Sequence, residues 1–145
     1  MTKILIASDH GGYNLKEHLK SYFKKQNYEF EDLGTYNLDS VDYPNYASKV
    51  AKRVPNEENT LGVLICGTGI GISIAANKHK GIRAALVDST TMARLSREHN
   101  NANIVCMGGR TTGPMIAEEI VETFINTKFE GGRHQKRIDL LEVVK

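Results

Sequence analysis

Cys66 opens the stretch Cys66-Gly67-Thr68-Gly69-Ile70-Gly71, a thiol followed at once by three alternating glycines. A free thiol has a pKa near ~8.5, so only a few per cent is thiolate at neutral pH. Glycine lets a backbone approach a ligand closely, and successive N–H groups leading into a helix N-terminus favour an anion. Such donors suit a phosphate, a carboxylate or a developing oxyanion. A thiolate there can serve as nucleophile or as base, and these residues leave that choice open. Two nucleotide motifs fail. Ile72 stands where the dinucleotide fingerprint G-x-G-x-x-G needs its third glycine, and no Gly-Lys-Ser/Thr follows for a P-loop. The alternative is a strand-to-helix turn with no ligand. Cys106 also ends an apolar run but has no such loop, and is read as a small buried hydrophobe.

Further candidates lie downstream. Met92, Leu95 and His99 recur at i, i+3 and i+7, which puts His99 on a buried or interfacial helix side, with Asn100 next to it. Imidazole is suited to moving protons at neutral pH; a satisfied core histidine is the competing reading. Arg133 and Arg137 share a helix face, and Leu141 and Val144 continue that stripe, so the guanidinium groups are expected to point toward protein. Two converging guanidiniums match a phosphate; a solvated basic helix end with Lys136 is the alternative. No histidine or cysteine spacing resembles H-E-x-x-H or paired C-x-x-C, so neither a metal nor a cofactor is expected.

The elements that position these groups alternate. Lys3 to Ser8 reads as a strand, followed by Asp9-His10-Gly11-Gly12, and Leu15, Leu19, Tyr22 and Phe23 mark a helix from Asn14 to Gln26. Tyr28 to Leu33 is a second strand, and Thr35 to Asp42 a polar loop. A helix then starts near Pro44, with Tyr43, Tyr46, Ala47, Val50, Ala51 and Val54 on one face. Leu61 to Ile65 is an apolar run typical of a strand buried on both faces, and a helix follows the glycine loop. Arg83 to Val87 is a fourth strand, Ser89 caps a helix from Thr90 to Glu98, and Ile104 to Met107 is a fifth strand. Gly113-Pro114 opens a helix with Met115, Ile116, Ile120, Val121, Phe124 and Ile125 expected on its buried side, and a last helix spans Gly132 to Val144. This alternation predicts an α/β fold, a three-layer α/β/α arrangement on a Rossmann-like five-stranded parallel sheet, as one domain over residues 1–145 with a C-terminal helix. Ligands of such sheets bind beyond the strands' carboxyl ends, which places Asp9, His10, Cys66, Asp88 and Arg110 along one edge.

The chain of 145 residues is large enough for one sizeable core, and its net charge of +2 is too small to argue for a nucleic-acid surface. No apolar stretch reaches the ~20 residues of a membrane span, and Ile4-Leu5-Ile6 is too short for a signal-peptide core. Two cysteines in such a chain do not suggest a disulfide framework. A cytoplasmic protein, bound to neither membrane nor nucleic acid, is expected.

Five motifs occur in order: Asp9-His10-Gly11-Gly12, Asp42-Tyr43-Pro44, Cys66 to Gly71, Ser96-Arg97-Glu98-His99-Asn100 and Gly131-Gly132-Arg133-His134. Together they resemble the ribose/galactose isomerase family over essentially the whole chain, with Cys66 placing it among the cysteine-type members. The resemblance implies metal-independent interconversion of D-ribose 5-phosphate and D-ribulose 5-phosphate through a 1,2-enediolate, a step of the pentose phosphate pathway. It implies Cys66 as the base, with His99 and Thr68 completing the catalytic set and His99 handling protons as the furanose opens. Backbone groups of Gly67, Gly69, Ile70 and Gly71 would stabilise the enediolate. Asp9, His10, Tyr43 and Asn100 would bind the sugar phosphate, and Arg133 and Arg137 its phosphate, with Arg110 as an additional contact. It further implies a homodimer or dimer of dimers whose active site is shared between chains. A hexose 6-phosphate isomerase of allose or galactose type and a non-catalytic sugar-phosphate binding module are the alternatives. A thiol redox protein is disfavoured because no second cysteine lies near Cys66 in sequence.

Overall fold

Strand and helix alternate along the chain in the computed structural model, which describes residues 1–144. Lys145, included in the expected domain, lies outside the described residues. The strands are β1 (Lys3–Ser8), β2 (Glu29–Asp32), β3 (Thr60–Cys66), β4 (Ala84–Leu86) and β5 (Ile104–Gly108). The helices are α1 (Tyr13–Lys25), α2 (Tyr43–Ala51), α3 (Ile70–Asn77), α4 (Thr90–Asn100), α5 (Pro114–Asn126) and α6 (Arg133–Glu142). Every strand pairing is parallel, in the order β2-β1-β3-β5-β4. The expected parallel sheet is present. Its order after β3, which the sequence left open, places β5 between β3 and the short edge strand β4.

Side-chain alternation along the strands builds two cores. Ile4 and Ile6 of β1, Val63 and Ile65 of β3, and Val105 and Met107 of β5 face one layer, where α1, α4 and α5 supply Leu19, Phe23, Ala93, Ile120 and Phe124. Their neighbours Leu5, Ala7, Leu64, Cys66, Ile104 and Cys106 face the other layer, covered by Ala47 and Val50 of α2 and Ile72 and Ala76 of α3. Burial on both faces explains why the central strands read as unbroken apolar runs. Both layers share one sheet, so the described residues form one domain.

Helix ends follow local chemistry. The Ser89 hydroxyl accepts the Met92 N–H at 3.2 Å, capping α4 as expected, and Asn101 stops that helix in the left-handed conformation at φ 44°. Three expected faces are corrected. Met115 and Ile116 are exposed, because α5 meets the core only from Ala117 onward, through Ala117, Ile120, Val121 and Phe124. Met92 is exposed, and α4 buries Ala93 and Ser96 instead. Arg133, Arg137, Leu141 and Val144 are exposed, while His134 and Ile138 form the buried stripe of α6 against the rest of the chain.

Candidate active site

Cys66 is the last residue of β3 and only 5% exposed. The Gly69 N–H donates to its Sγ at 3.1 Å. That contact needs glycine: φ is 82° at Gly69, and a Cβ there would stand 2.7 Å from both Leu86 Cδ1 and the Met107 carbonyl carbon. The Ile70 N–H donates to Thr68 Oγ1 at 3.2 Å. Two of the loop amides expected to face an oxyanion are therefore engaged locally, one of them on the thiol itself.

Neighbouring loops clamp this turn. Cys66 and Gly67 carbonyls accept the N–H groups of Gly109 at 2.8 Å and Arg110 at 3.0 Å. The Arg110 guanidinium lies over the loop, since a Cβ on Gly67 would come within 3.4 Å of its Nη1. The Tyr43 ring packs on Gly71, where a Cβ would be 2.6 Å from Cζ. Asp9 caps the 3-10 turn His10–Gly12, its Oδ1 accepting the Gly12 N–H at 3.1 Å. That carboxylate borders the same loop: a Cβ on Gly11 would be 3.4 Å from Asp9 Oδ1 and 3.0 Å from the Gly67 nitrogen. His10 Nδ1 accepts the Val41 N–H at 3.2 Å, which leaves Nε2 to carry the proton of the neutral ring. Asp9, His10, Tyr43, the Cys66–Gly71 loop and Arg110 thus gather at the carboxyl edge of the sheet. Asp88, expected at the same edge, is exposed at the end of β4.

The remaining predicted residues assemble elsewhere. Helix α4 begins beyond the carboxyl end of β4, so its last turn returns to the amino edge, where Arg83 Nε donates to the Asn100 and Asn101 carbonyls at 3.2 and 3.0 Å. There His99, Asn100, His134, Arg137, Ile138 and Leu141 line a cleft of about 360 Å³. Arg133 opens α6 beside them. The His99 and His134 rings stack with centroids 4.4 Å apart and planes 16° from parallel. The Glu130 carboxylate lies 3.5 Å from His134 Nε2 and 3.9 Å from His99 Nε2. Burial, then the Arg133 guanidinium and the neighbouring His99 and Arg137, hold the His134 pKa below its ordinary value; Glu130 opposes them. At ~3.3 Å per residue the seven-residue β3 puts about 20 Å between the two edges. One chain therefore keeps Cys66 apart from His99, Asn100, Arg133 and Arg137.

Sequence spacing missed His134 and Glu130 as neighbours of His99. The i, i+4 relation of Glu130 and His134 was visible, but only the return of α4 brings His99 to them. The second cysteine was also nearer than the sequence suggested. Cys106 pairs with Leu64 in register and so sits diagonally from Cys66 on the same sheet face. It is fully buried, and burial pushes its thiol pKa far upward; both thiols are free.

The chain is similar to known proteins in sequence and in fold. The ribose/galactose isomerase family profile matches residues 4–141. The chain is 42% identical over 145 residues to ribose-5-phosphate isomerase B of Escherichia coli, covering 100% of this chain and 97% of that protein. Among solved structures, a ribose 5-phosphate isomerase from Thermotoga maritima superposes with a TM-score of 0.96 at 52% identity, covering 99% of each chain. Ribose-5-phosphate isomerase B from Mycoplasma genitalium with bound ribulose-5-phosphate does so at 0.92 and 45% identity, covering 97% of this chain and 94% of that one. With the profile matching residues 4–141 and a relative 42% identical over the full chain, the chain belongs to the ribose/galactose isomerase family.

Proposed function

We propose that this protein is an aldose–ketose isomerase that interconverts D-ribose 5-phosphate and D-ribulose 5-phosphate. The observation that carries the reading is the Gly69 N–H aimed at the Cys66 sulfur, in a family whose named members include ribose-5-phosphate isomerases. That contact holds the sulfur at the head of the glycine loop, at the edge where Asp9, His10 and Tyr43 gather, which is where a base for a bound sugar must stand.

The chemistry follows from the positions. Cys66 removes the proton from C2 of the open-chain aldose. The C2–H electron pair becomes the C1–C2 double bond, and the carbonyl pair moves onto O1 as an oxyanion. Thr68 Oγ1, whose lone pair already accepts the Ile70 N–H, keeps its own O–H free to donate to that enediolate. The amides at Gly67 and Gly71 complete a cradle, and one such donor is worth ~10²–10³ in rate. A proton passes from O2 to O1, the thiol returns its proton to C1, and the ketone forms at C2. Asp9, His10 through its Nε2–H, and Tyr43 bind the sugar at the same edge, with Arg110 beside the loop. No step draws on a metal.

His99, Asn100, Arg133 and Arg137 join this site from a second copy of the chain. The two groups stand at opposite edges of one sheet, and a two-fold axis that apposes one edge to the other creates two equal sites. Exposed Ile70 and Ile74 of α3 and Leu140 and Leu141 of α6 provide apolar surface near each group. In that arrangement His99 opens the furanose ring, Asn100 holds sugar hydroxyls, and the two arginines grip the phosphate. No helix of the described residues is long and apolar enough to cross a membrane. Two unpaired cysteines and a phosphorylated substrate favour a cytoplasmic setting.

The test supplies ribose 5-phosphate and allose 6-phosphate separately, with EDTA present, in heavy water. Ribulose 5-phosphate forms and carries deuterium at C1. An unlabelled C1 would mean hydride transfer and remove the proposed base; preference for the hexose would shift the substrate, not the mechanism. Cys66→Ala should cost ~10²–10⁴ or more in turnover while ribose 5-phosphate still binds. A protein that binds but never turns over would instead be a binding module.

A further inference from the structure

The His99–Glu130–His134 group is more ordered than proton handling by His99 alone requires. Three ligand-capable atoms, one ring nitrogen from each histidine and a carboxylate oxygen, lie within 4.8 Å of one another. They are held from three separate backbone positions. His99 is in the last turn of α4, His134 is in the first turn of α6, and the Glu130 N–H is fixed to the Glu98 carbonyl at 3.1 Å. The second observation is His134 itself. Its side chain is 7% exposed, yet Nε2 has no hydrogen-bond partner, and it faces the Glu130 carboxylate at 3.5 Å. A buried polar atom left so is costly unless something else satisfies it.

We infer that His99, Glu130 and His134 form a binding site for one first-row divalent cation, best matched by Zn²⁺. Tetrahedral zinc at ~2.0–2.2 Å from nitrogen and oxygen spaces its ligand atoms roughly 3.4 Å apart. The present 3.5 and 3.9 Å separations need little contraction. Converging the two stacked lone pairs needs one ring to tilt, and His99, 40% exposed on its outer side, is free to do so. Two imidazoles with one carboxylate suit a borderline cation, and three protein ligands leave a fourth position open to the cleft. Arg133 and Arg137 oppose a dication by Coulomb repulsion. They oppose a proton on His134 by the same means, while Glu130 supplies the compensating charge. A bound cation would occupy the imidazole that ring opening needs, so the site would inhibit turnover. That consequence, unlike the site, rests on the role proposed for His99.

The probe is Co²⁺, followed by its visible ligand-field bands, with Zn²⁺ as competitor, on the full chain. One Co²⁺ per chain is expected, displaced by Zn²⁺. Glu130→Gln, at a half-exposed position, and His134→Ala should each weaken binding by at least the ~10–100-fold that loss of even an outer partner costs. Circular dichroism should show each variant folded. No saturable binding below roughly millimolar metal, or binding undiminished in both Glu130→Gln and His134→Ala, overturns the proposal. Zn²⁺ should also stop turnover, reversibly with EDTA, and less so in Glu130→Gln. Binding without inhibition upholds the site and removes the proton role of His99.

Discussion

Lys16 is fully buried, and its ammonium reaches Asp32 Oδ2 at 2.7 Å and Glu17 Oε2 at 3.1 Å. Lys20 meets the same Asp32 oxygen at 2.8 Å, and Gly34 N–H donates to its Oδ1 at 2.9 Å. Burial opposes ionisation of Asp32, but the two ammonium groups and the Gly34 N–H overcome it and hold its pKa below the ordinary value. A carboxyl depressed in the fold stabilises it above the unfolded pKa, and that stability is lost as pH falls through the folded value. Asp32→Asn leaves the Lys16 charge inside with Glu17 alone. A loss of about 3 kcal/mol is expected near pH 7, at the lower end of the range for breaking a buried pair. Urea unfolding near pH 7 and near pH 3 checks it: the variant should lose less on acidification than the parent. Nothing in the sequence flagged this lysine. In the α1 pattern it sits beside the apolar stripe, and only the arrival of β2 and its following loop encloses it.

At the scale of elements, the glycine loop was the most legible part of the chain. A buried strand ending in cysteine, then alternating glycines, admits few conformations. The sequence could not reveal which amide serves the sulfur, because that depends on the left-handed turn at Gly69 and on Leu86 and Met107 from other strands. Gly69→Ala should cost roughly 2–4 kcal/mol, from the positive φ and the close backbone contact, and should lower turnover by pulling the N–H off the thiol. Thermal melts with parallel rate measurements test both effects. A variant that melts early but turns over normally would detach the loop from catalysis. Helix faces were less legible. Periodicity identified α5 and α6, yet Met115, Ile116 and the arginine stripe proved exposed. Apolar spacing reports a face meant for protein, and it cannot say whether that protein is the same chain.

For the whole molecule, the parallel α/β sheet followed directly from alternation, whereas its strand order did not, since β4 and β5 offer equally apolar neighbours to β3. The separation of the two functional groups was equally invisible, because it depends on the direction in which α4 runs. That separation makes a strong prediction. Cys66→Ala and His99→Asn chains, each inactive alone, should regain activity when mixed under conditions that exchange subunits. In the mixed dimer one site has both working halves and the other has neither, so random pairing should restore about one quarter of the parental sites. Activity titrated against mixing ratio measures this. No recovery, with exchange verified by mass, would place both groups in one chain's site.

Insertion of β5 between β3 and β4 also bears on how the protein matures during synthesis. The ribosome delivers the Cys66 sulfur and its glycines well before the strand that fixes them, since Gly109 and Arg110, which grip the Cys66 and Gly67 carbonyls, emerge some forty residues later. Until then β3 has an open edge on that side, and β4 has no partner to pair with. A nascent chain stalled before β5 would hold the complete thiol loop without the strand that secures it, so reactivity of the sulfur should mature only as the final third of the polypeptide docks.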